Sequence, residues 1–345
     1  MTFRIRAARP SDVEAMYEMA KLGGSGFTNL PADRATLRAK LERAAACLAD
    51  ARESLPDGPG DELFVVVLEN VATGELRGTA QIFACVGRGG PFYSYRLTTL
   101  TQHSKELNRT FRAEMLHLVT DLEGSSEVGG LFLHPAERAG GLGMLLARSR
   151  YLFIAMHRAR FAPRILAELR GVIDERGGSA FWDAVGGKFF GMGFQEADHF
   201  NALNGNQFIA DLMPKHPVYV AMLPQSARTA IGMPHLNGRP AMRMLEAEGF
   251  AYEGYVDIFD GGPTMTARTD QVRSIAGATA QTVAQVAAPE GHGPVRRVLA
   301  ATGRLATFRC TLGEVTQGAD GLVIDPVAAA ALDVRPGDTV WHVDR

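Results

Sequence analysis

The chain is poor in the features that mark several large protein classes. Cysteine is scarce: in 345 residues there are only Cys47, Cys85 and Cys310, widely spaced and with no Cys-x-x-Cys pair. Neither a disulfide framework nor a zinc ribbon is indicated, and the expected location is a reducing cytoplasm. No apolar run approaches the roughly 18 residues of a membrane span, and the opening MTFRIRAARPSD lacks the apolar core of a signal peptide. Charge of one sign is not in excess either. The formal net charge is -2 with 21% charged residues, so nothing draws the chain generally to nucleic acid or to an anionic membrane. What is left is a chain 46% hydrophobic, ordinary for a globular protein and long enough for two or three domains.

The most informative stretch runs from Gly129 to Met156. Leu131, Phe132 and Leu133 make a short apolar strand that ends at Pro135. Arg138, Gly141 and Gly143 form the pattern Arg-x-x-Gly-x-Gly, and an apolar helix follows through Met156. Glycines between a strand and a helix leave backbone N–H groups free at the helix start, and with the helix dipole they suit a pyrophosphate. A Cβ there would hold the phosphates away. The loop is not Gly-x-Gly-x-x-Gly, which disfavours a Rossmann turn, and it lacks Gly-Lys-Ser/Thr, which disfavours a nucleotide-triphosphate loop. Six residues alone fit an ordinary glycine turn equally well.

Along the rest of the chain, Phe3 to Arg6 alternates like a strand, and Ser11 with Glu14 spells a capping box opening a helix through Met19. Residues 23–31 read as a glycine-rich loop and Pro31 to Ala51 as a long helix. Leu63 to Leu68 and Leu76 to Val86 read as paired strands. Pro91 to Arg96 and His103 to Asn108 are polar-aromatic, with Tyr95 and Arg96 as possible ligand contacts, although a sheet edge with half-buried tyrosines explains them as well. Ala113 to Leu122 fits either a helix or a strand. Arg164 to Glu175 reads as a strand turning acidic at its end, in which Glu168 needs a partner because a buried charge is costly. Ser179 to Phe190 suggests a helix, His216 to Met222 a strand, Ala241 to Glu248 a helix closed by Gly249, and Tyr255 to Asp260 a strand. After the linker Pro289 to Pro294, short alternating strands suggest a small β-barrel with no chemistry of its own.

The Arg138–Gly141–Gly143 loop, placed after a strand and before a helix, resembles the coenzyme A loop of the GCN5-related N-acyltransferases. Longer motifs narrow the resemblance. Leu131-Phe-Leu133, Ala167 to Glu175, Ser179-x-Phe-Trp182, Phe208 to Pro217 and Tyr255 to Thr264 together resemble the bacterial arginine N-succinyltransferases, from the N-terminus to the barrel. The resemblance implies a mixed α/β fold of tandem acyltransferase-like halves with an appended barrel, divided at 1–198, 199–288 and 289–345. It implies transfer of a succinyl group from succinyl-CoA, a co-substrate and not a permanently bound cofactor, to the α-amino group of L-arginine. It carries the family's proton donor onto His235 and its succinyl-CoA contact onto Leu131. Relatives usually follow that histidine with proline; here Pro234 precedes it and Leu236 follows.

The chemistry sets further needs. An α-ammonium, with a pKa near roughly 8 in peptides, must lose a proton before its nitrogen attacks a thioester. The thioester oxygen then needs a donor, and both substrates need positioning. A histidine can shuttle a proton at neutral pH, and a backbone N–H of Leu131 to Leu133 can polarise the carbonyl. The succinyl carboxylate calls for a cation, for which Arg96, Lys105 and Arg170 are available. A guanidinium favours bidentate carboxylates, for which Glu168, Asp174, Glu175, Asp257 and Asp260 are available. Any of these could equally be a plain salt bridge. No metal is expected. The expected partners are small molecules and a second subunit, either identical or paralogous. Two other readings stay open: an acyltransferase acting on ornithine or another amine, and a non-catalytic partner of an active paralogue, which the intact glycine loop disfavours.

Overall fold

The computed structural model describes residues 2–23, 29–55, 58–138, 140–205, 207–289 and 293–345. The expected glycine loop falls largely on residues 24–28, outside the described residues, as do residues 290–292 of the expected linker. In chain order the first elements are β1 (Phe3–Ala7), α1 (Val13–Gly23), α2 (Arg34–Ala49), β2 (Leu63–Asn70), β3 (Leu76–Phe83), β4 (Ser94–Ser104), β5 (Arg109–Val119) and β6 (Ser126–Leu133). Then come α3 (Leu142–Met156), β7 (Arg164–Glu168), α4 (Ala180–Ala184), α5 (Gly187–Phe190), α6 (Phe194–Asn204), α7 (Gln207–Leu212), β8 (Val218–Tyr219), α8 (Gln225–Ala230) and α9 (Arg239–Glu248). The last are β9 (Ala251–Val256), β10 (Pro263–Arg268), α10 (Arg273–Ala276), β11 (Thr279–Val286), β12 (Arg296–Thr302), β13 (Arg309–Gly318), β14 (Gly321–Ile324), α11 (Pro326–Leu332) and β15 (Thr339–Asp344). The class is mixed α/β, as expected.

The chain forms two compact units, one of residues 1–84, 128–163 and 268–345, the other of residues 85–127 and 164–267. In the first unit, β1, β2 and β3 make an antiparallel meander, with Ile5 opposite Leu68 and Val66 opposite Ala80, and the later part of β6 lies beside β3. All eight residues of β2 are buried, because apolar side chains leave both faces of the strand. Val65 and Val67 meet Met16, Leu37 and Leu41 from α1 and α2. Helix α3 is buried continuously from Leu145 to Ile154, the pattern of an interior helix. Its Arg148 satisfies its charge-bearing N–H groups on the Ser274 hydroxyl (2.8 Å) and the Asp344 carbonyl (2.8 Å).

The C-terminal strands of this unit close into a five-stranded barrel. β12 pairs with β13 and β15, β15 with β11, β11 in parallel with β14, and β14 with β13. Its core gathers Val298, Ala300, Val315, Ile324 and the α11 residues Ala328 and Leu332. The first barrel strand is Thr279–Val286, ahead of the Pro/Gly linker, because the alternating Thr/Gln and Ala/Val residues there pair with β15.

In the second unit, the first two residues of β6 pair in parallel with β7, at Ser126–Ile165 and Glu127–Leu166. Next to β7 come β10, β9, β4, β5 and β8. Trp182, Phe181, Tyr95, Leu116, Val256 and Phe259 form the core, with the Trp182 and Phe259 rings stacked at 5.4 Å.

Local chemistry moved several boundaries. The first helical turn is held not by a Ser11–Glu14 box but by Asp12, which accepts the Arg9 N–H (2.8 Å) and pairs with Arg6 (2.8 and 3.0 Å). Ala113 to Leu122 is largely strand β5. The expected strand to Glu175 stops at Glu168, since the Gly171 N–H is taken by the Asp260 carboxylate (2.7 Å) and not by a neighbouring strand. The expected helix to Phe190 breaks at Val185, which leaves the helical region (φ -113°, ψ -84°), and the Trp182 ring fills the place of a Cβ on the following Gly186 (2.6 Å). The strand expected to reach Asp260 ends at Val256, because Asp257 caps a turn through the N–H groups of Phe259 (2.7 Å) and Asp260 (2.9 Å).

Candidate active site

The first unit carries the glycine loop. Gly130 interrupts β6 with φ 55°, and a Cβ there would lie 2.7 Å from the Gln81 side chain. Glycine is the residue that tolerates such a turn inside a strand. Beyond it, Phe132 is buried against the α1–α2 core, while Leu131 and Leu133 are half-buried on the opposite side of the pleat. His134 then caps a single 3-10 turn, its Nδ1 accepting the Ala136 N–H at 3.2 Å. Arg138 ends that turn with its side chain exposed.

Gly140 and Gly141 follow at φ 82° and 84°, and α3 starts at Leu142. The first intrahelical bond is Leu145 N–H to Gly141 C=O (3.1 Å), so the N–H groups ahead of it point out of the helix start without intrahelical acceptors. Gly143 has only Leu133 nearby, at 3.7 Å from a would-be Cβ. The start of α3 favours a negative charge.

The loop has a neighbour that sequence reasoning missed. The Arg345 guanidinium lies over Gly141, with Nη2 2.6 Å from the position of a Cβ. Its backbone is fixed by the Arg345 N–H to Arg297 C=O bond (2.9 Å) and by Arg148 of α3 holding the Asp344 carbonyl. No local signal in the loop could have found this residue; the barrel brings it there.

The second unit carries the ionisable groups. His235 repeats the local motif of His134: its Nδ1 accepts the Asn237 N–H at 3.2 Å, one 3-10 turn follows, and Arg239 stands four residues on, at the start of α9. A ring whose Nδ1 accepts carries its neutral-form proton on Nε2. Burial, then the charge of Arg170, holds this imidazole below its ordinary value, so it is neutral at pH 7. The backbone N–H of His235 donates to the Arg170 carbonyl (2.8 Å).

Glu168 ends β7, past the last β6–β7 pair. Burial, then the charges of Asp257, Glu127 and Asp260, push its carboxyl well above the usual range. Asp260 is pushed up to about 8 by burial and then by Asp257, and Asp257 is raised by burial. Three acids crowded in one place each hold their protons more tightly than a lone carboxyl does. Two of them have structural duties. Asp260 accepts the N–H groups of Gly171 (2.7 Å) and Gly262 (2.8 Å), and Asp257 caps its turn. Glu168 interacts instead with the Thr264 hydroxyl.

The other expected substrate residues are placed differently. Tyr95 is 1% exposed, packed edge-on to Phe181, with its hydroxyl 3.8 Å from the Met213 sulphur; it belongs to the core. Arg96 is on the surface, paired with Asp121 (3.1 Å) and lying over the Tyr255 ring. Asp174 caps its own loop through the N–H groups of Arg176 (2.8 Å) and Gly178 (2.7 Å). Glu175 is exposed.

Comparison with known proteins adds the family. Residues 3–274 match the family described as arginine N-succinyltransferase beta subunit, and residues 281–344 match its C-terminal domain. The arginine N-succinyltransferase of Salmonella schwarzengrund is 41% identical over 336 residues, which cover 97% of this chain and 96% of the relative. That of Escherichia coli O139:H28 is 40% identical over the same length. Among solved structures, arginine/ornithine succinyltransferase subunit AI from Pseudomonas aeruginosa superposes with a TM-score of 0.87 at 32% identity, covering 99% of this chain and 98% of that one.

Proposed function

The chain belongs to the arginine N-succinyltransferase family, and from that premise we propose that it transfers the succinyl group of succinyl-CoA to the α-amino group of L-arginine, the opening step of arginine degradation. The products are N2-succinyl-L-arginine and CoA. The observation that carries this reading is the full-length family match together with a glycine loop at the start of α3.

In this reading the loop of Gly140, Gly141 and Gly143, with Arg138 and Arg345 as cations, holds the pyrophosphate of the acyl donor. A backbone N–H of Leu131 to Leu133, turned by Gly130, polarises the thioester carbonyl. Glu168 takes the proton of the α-ammonium, a role that suits a carboxyl raised toward neutrality. The amine attacks the thioester carbon, the C–S bond breaks, and the thiolate of CoA leaves. His235, neutral with its hydrogen on Nε2, donates that hydrogen in a bond to the departing sulphur, and the second proton of the amine nitrogen passes to the thiolate to give the CoA thiol. Direct attack needs no acyl-cysteine, and Cys85 and Cys310 are buried.

No helix among the described residues is long and apolar enough to cross a membrane; we place the enzyme in the cytoplasm, as an oligomer of itself or with a paralogous subunit. The duplicated histidine-capped turn supports the division into two acyltransferase-like halves and a barrel. The name of the Pseudomonas relative favours ornithine as a second acceptor.

A thiol-release assay tests the proposal, with succinyl-CoA and acetyl-CoA each crossed against arginine, ornithine and lysine. Release with succinyl-CoA plus arginine is expected. No release with any pair, despite measurable CoA binding, overturns it in favour of a partner subunit.

A further inference from the structure

Arg170 stands out among the charged groups of the second unit. Its Nε is buried and makes no hydrogen bond among the described residues. Asp260, whose charge acts on it most strongly, already accepts two backbone N–H groups. The residue is nevertheless held firmly. Leu169 donates to the Pro263 carbonyl (3.1 Å), Gly171 to Asp260 (2.7 Å), and the Arg170 carbonyl receives the His235 N–H (2.8 Å). The packing around it is tight enough that a Cβ on Gly262 would meet the Leu169 carbonyl at 2.1 Å and one on Gly171 the Asp260 carbonyl at 2.5 Å. A fixed backbone therefore presents a guanidinium with an orphaned donor beside the histidine named as proton donor.

A buried charged donor without an acceptor is costly, and native proteins rarely keep one without a reason. A planar guanidinium is matched in shape and charge by a carboxylate. We infer that Arg170 recognises a carboxylate of the reacting molecules and so sets the specificity of the reaction. The inference rests on the transferase reading above. Two carboxylates are available in that reaction, the free end of the succinyl group and the α-carboxylate of the amino acid, and the chemistry at Arg170 is the same for both.

The test uses the full chain and its Arg170→Gln and Arg170→Lys variants in the thiol-release assay. One arm compares succinyl-CoA with butyryl-CoA, which has the same chain length without the carboxylate. The other compares arginine with agmatine, which lacks the α-carboxylate. Wild-type protein is expected to favour the carboxylate-bearing member of the relevant pair in kcat/KM. In Arg170→Gln that preference falls by about 10- to 150-fold, the range of a lost charge-assisted hydrogen bond, and Arg170→Lys restores part of it. Collapse of the succinyl/butyryl ratio identifies the acyl carboxylate, and collapse of the arginine/agmatine ratio identifies the amino acid. Thermal denaturation supplies a control: a residue with an orphaned donor can be replaced without lowering Tm. An active wild type whose two ratios both survive in Arg170→Gln overturns the inference and leaves the transferase reading standing. A lower Tm with unchanged ratios also overturns it, by making Arg170 structural. An inactive wild type removes both.

Discussion

Replacing Gly141 with valine puts the coenzyme loop to a quantitative test. Gly141 sits at φ 84° as the residue before α3, a conformation that costs an L-residue roughly 1–2 kcal/mol. A Cβ there meets only the end of the Arg345 side chain, at 2.6 Å, and that exposed guanidinium can swing aside. Stability should therefore fall by no more than about 1–2 kcal/mol from strain. Gly74→Ala calibrates that strain, because Gly74 has φ 74° with nothing within 4 Å of its would-be Cβ.

The effect on the ligand should be larger in kind. The new side chain holds the pyrophosphate off the backbone and displaces Arg345, losing at least one charge-assisted hydrogen bond worth about 1.5–3 kcal/mol. That corresponds to CoA binding weaker by about 10- to 150-fold. Calorimetric titration with CoA measures it directly. Steady-state kinetics with succinyl-pantetheine, which carries no phosphates, separates phosphate binding from general damage. Unchanged CoA affinity refutes the loop assignment. An equal loss of kcat/KM with succinyl-pantetheine would show that the substitution disturbs something other than phosphate binding.

Three other substitutions probe the remaining assignments. His235→Ala should lower kcat by about 10²- to 10⁴-fold while CoA affinity barely changes; full activity in the variant would remove its role as donor. Glu168→Gln should abolish the rise of kcat with pH. A carboxyl raised by burial and three neighbouring acids is protonated, and useless as a base, until the pH passes its elevated value, so a variant that keeps both the rate and the rise contradicts the base assignment. His157 should make the fold acid-sensitive. Its Nδ1–H donates to the Phe153 carbonyl (2.8 Å), its Nε2 accepts the Leu305 N–H (3.3 Å), and burial lowers its pKa to about 4 from 6.5. The unfolded chain binds the proton first, so stability is present above pH 6.5 and is lost as the pH falls toward 4, by about 3 kcal/mol in all. Denaturant melts of wild type and His157→Gln between pH 7 and 4 should diverge by that amount, and parallel curves would show that His157 is not the sensor.

Much of this protein was legible in the order of its residues. The strand–glycine–helix run from Leu131 to Met156 announces itself because apolar period, left-handed glycines and helix start are all local. The barrel strands beyond the linker and the Gly249 helix end are legible for the same reason, and the family motifs point to His235. Boundaries such as those at Glu168, Val185 and Val256 were not, because particular side chains decide them: Asp260 takes the Gly171 N–H that a strand would have used, the Trp182 ring fills the place of a Cβ on Gly186, and Asp257 caps its own turn. The roles of the charged residues lay further out of reach. Tyr95 and Arg96 are neighbours in sequence, yet one is sealed in the core and the other pairs with Asp121 on the surface. Glu168 and Asp174 are both carboxylic acids, but one has three acids as neighbours and the other caps a solvent-facing turn. Arg345 reaches Gly141 because the barrel closes beside α3. Sequence by itself determined the family, the fold class and the strand–glycine–helix order of the loop, since those depend on neighbours along the chain. Which carboxyl is raised, which arginine has a buried Nε with no acceptor among the described residues and which arginine stands over the loop depend on burial and long-range proximity, and only the tertiary structure decided them.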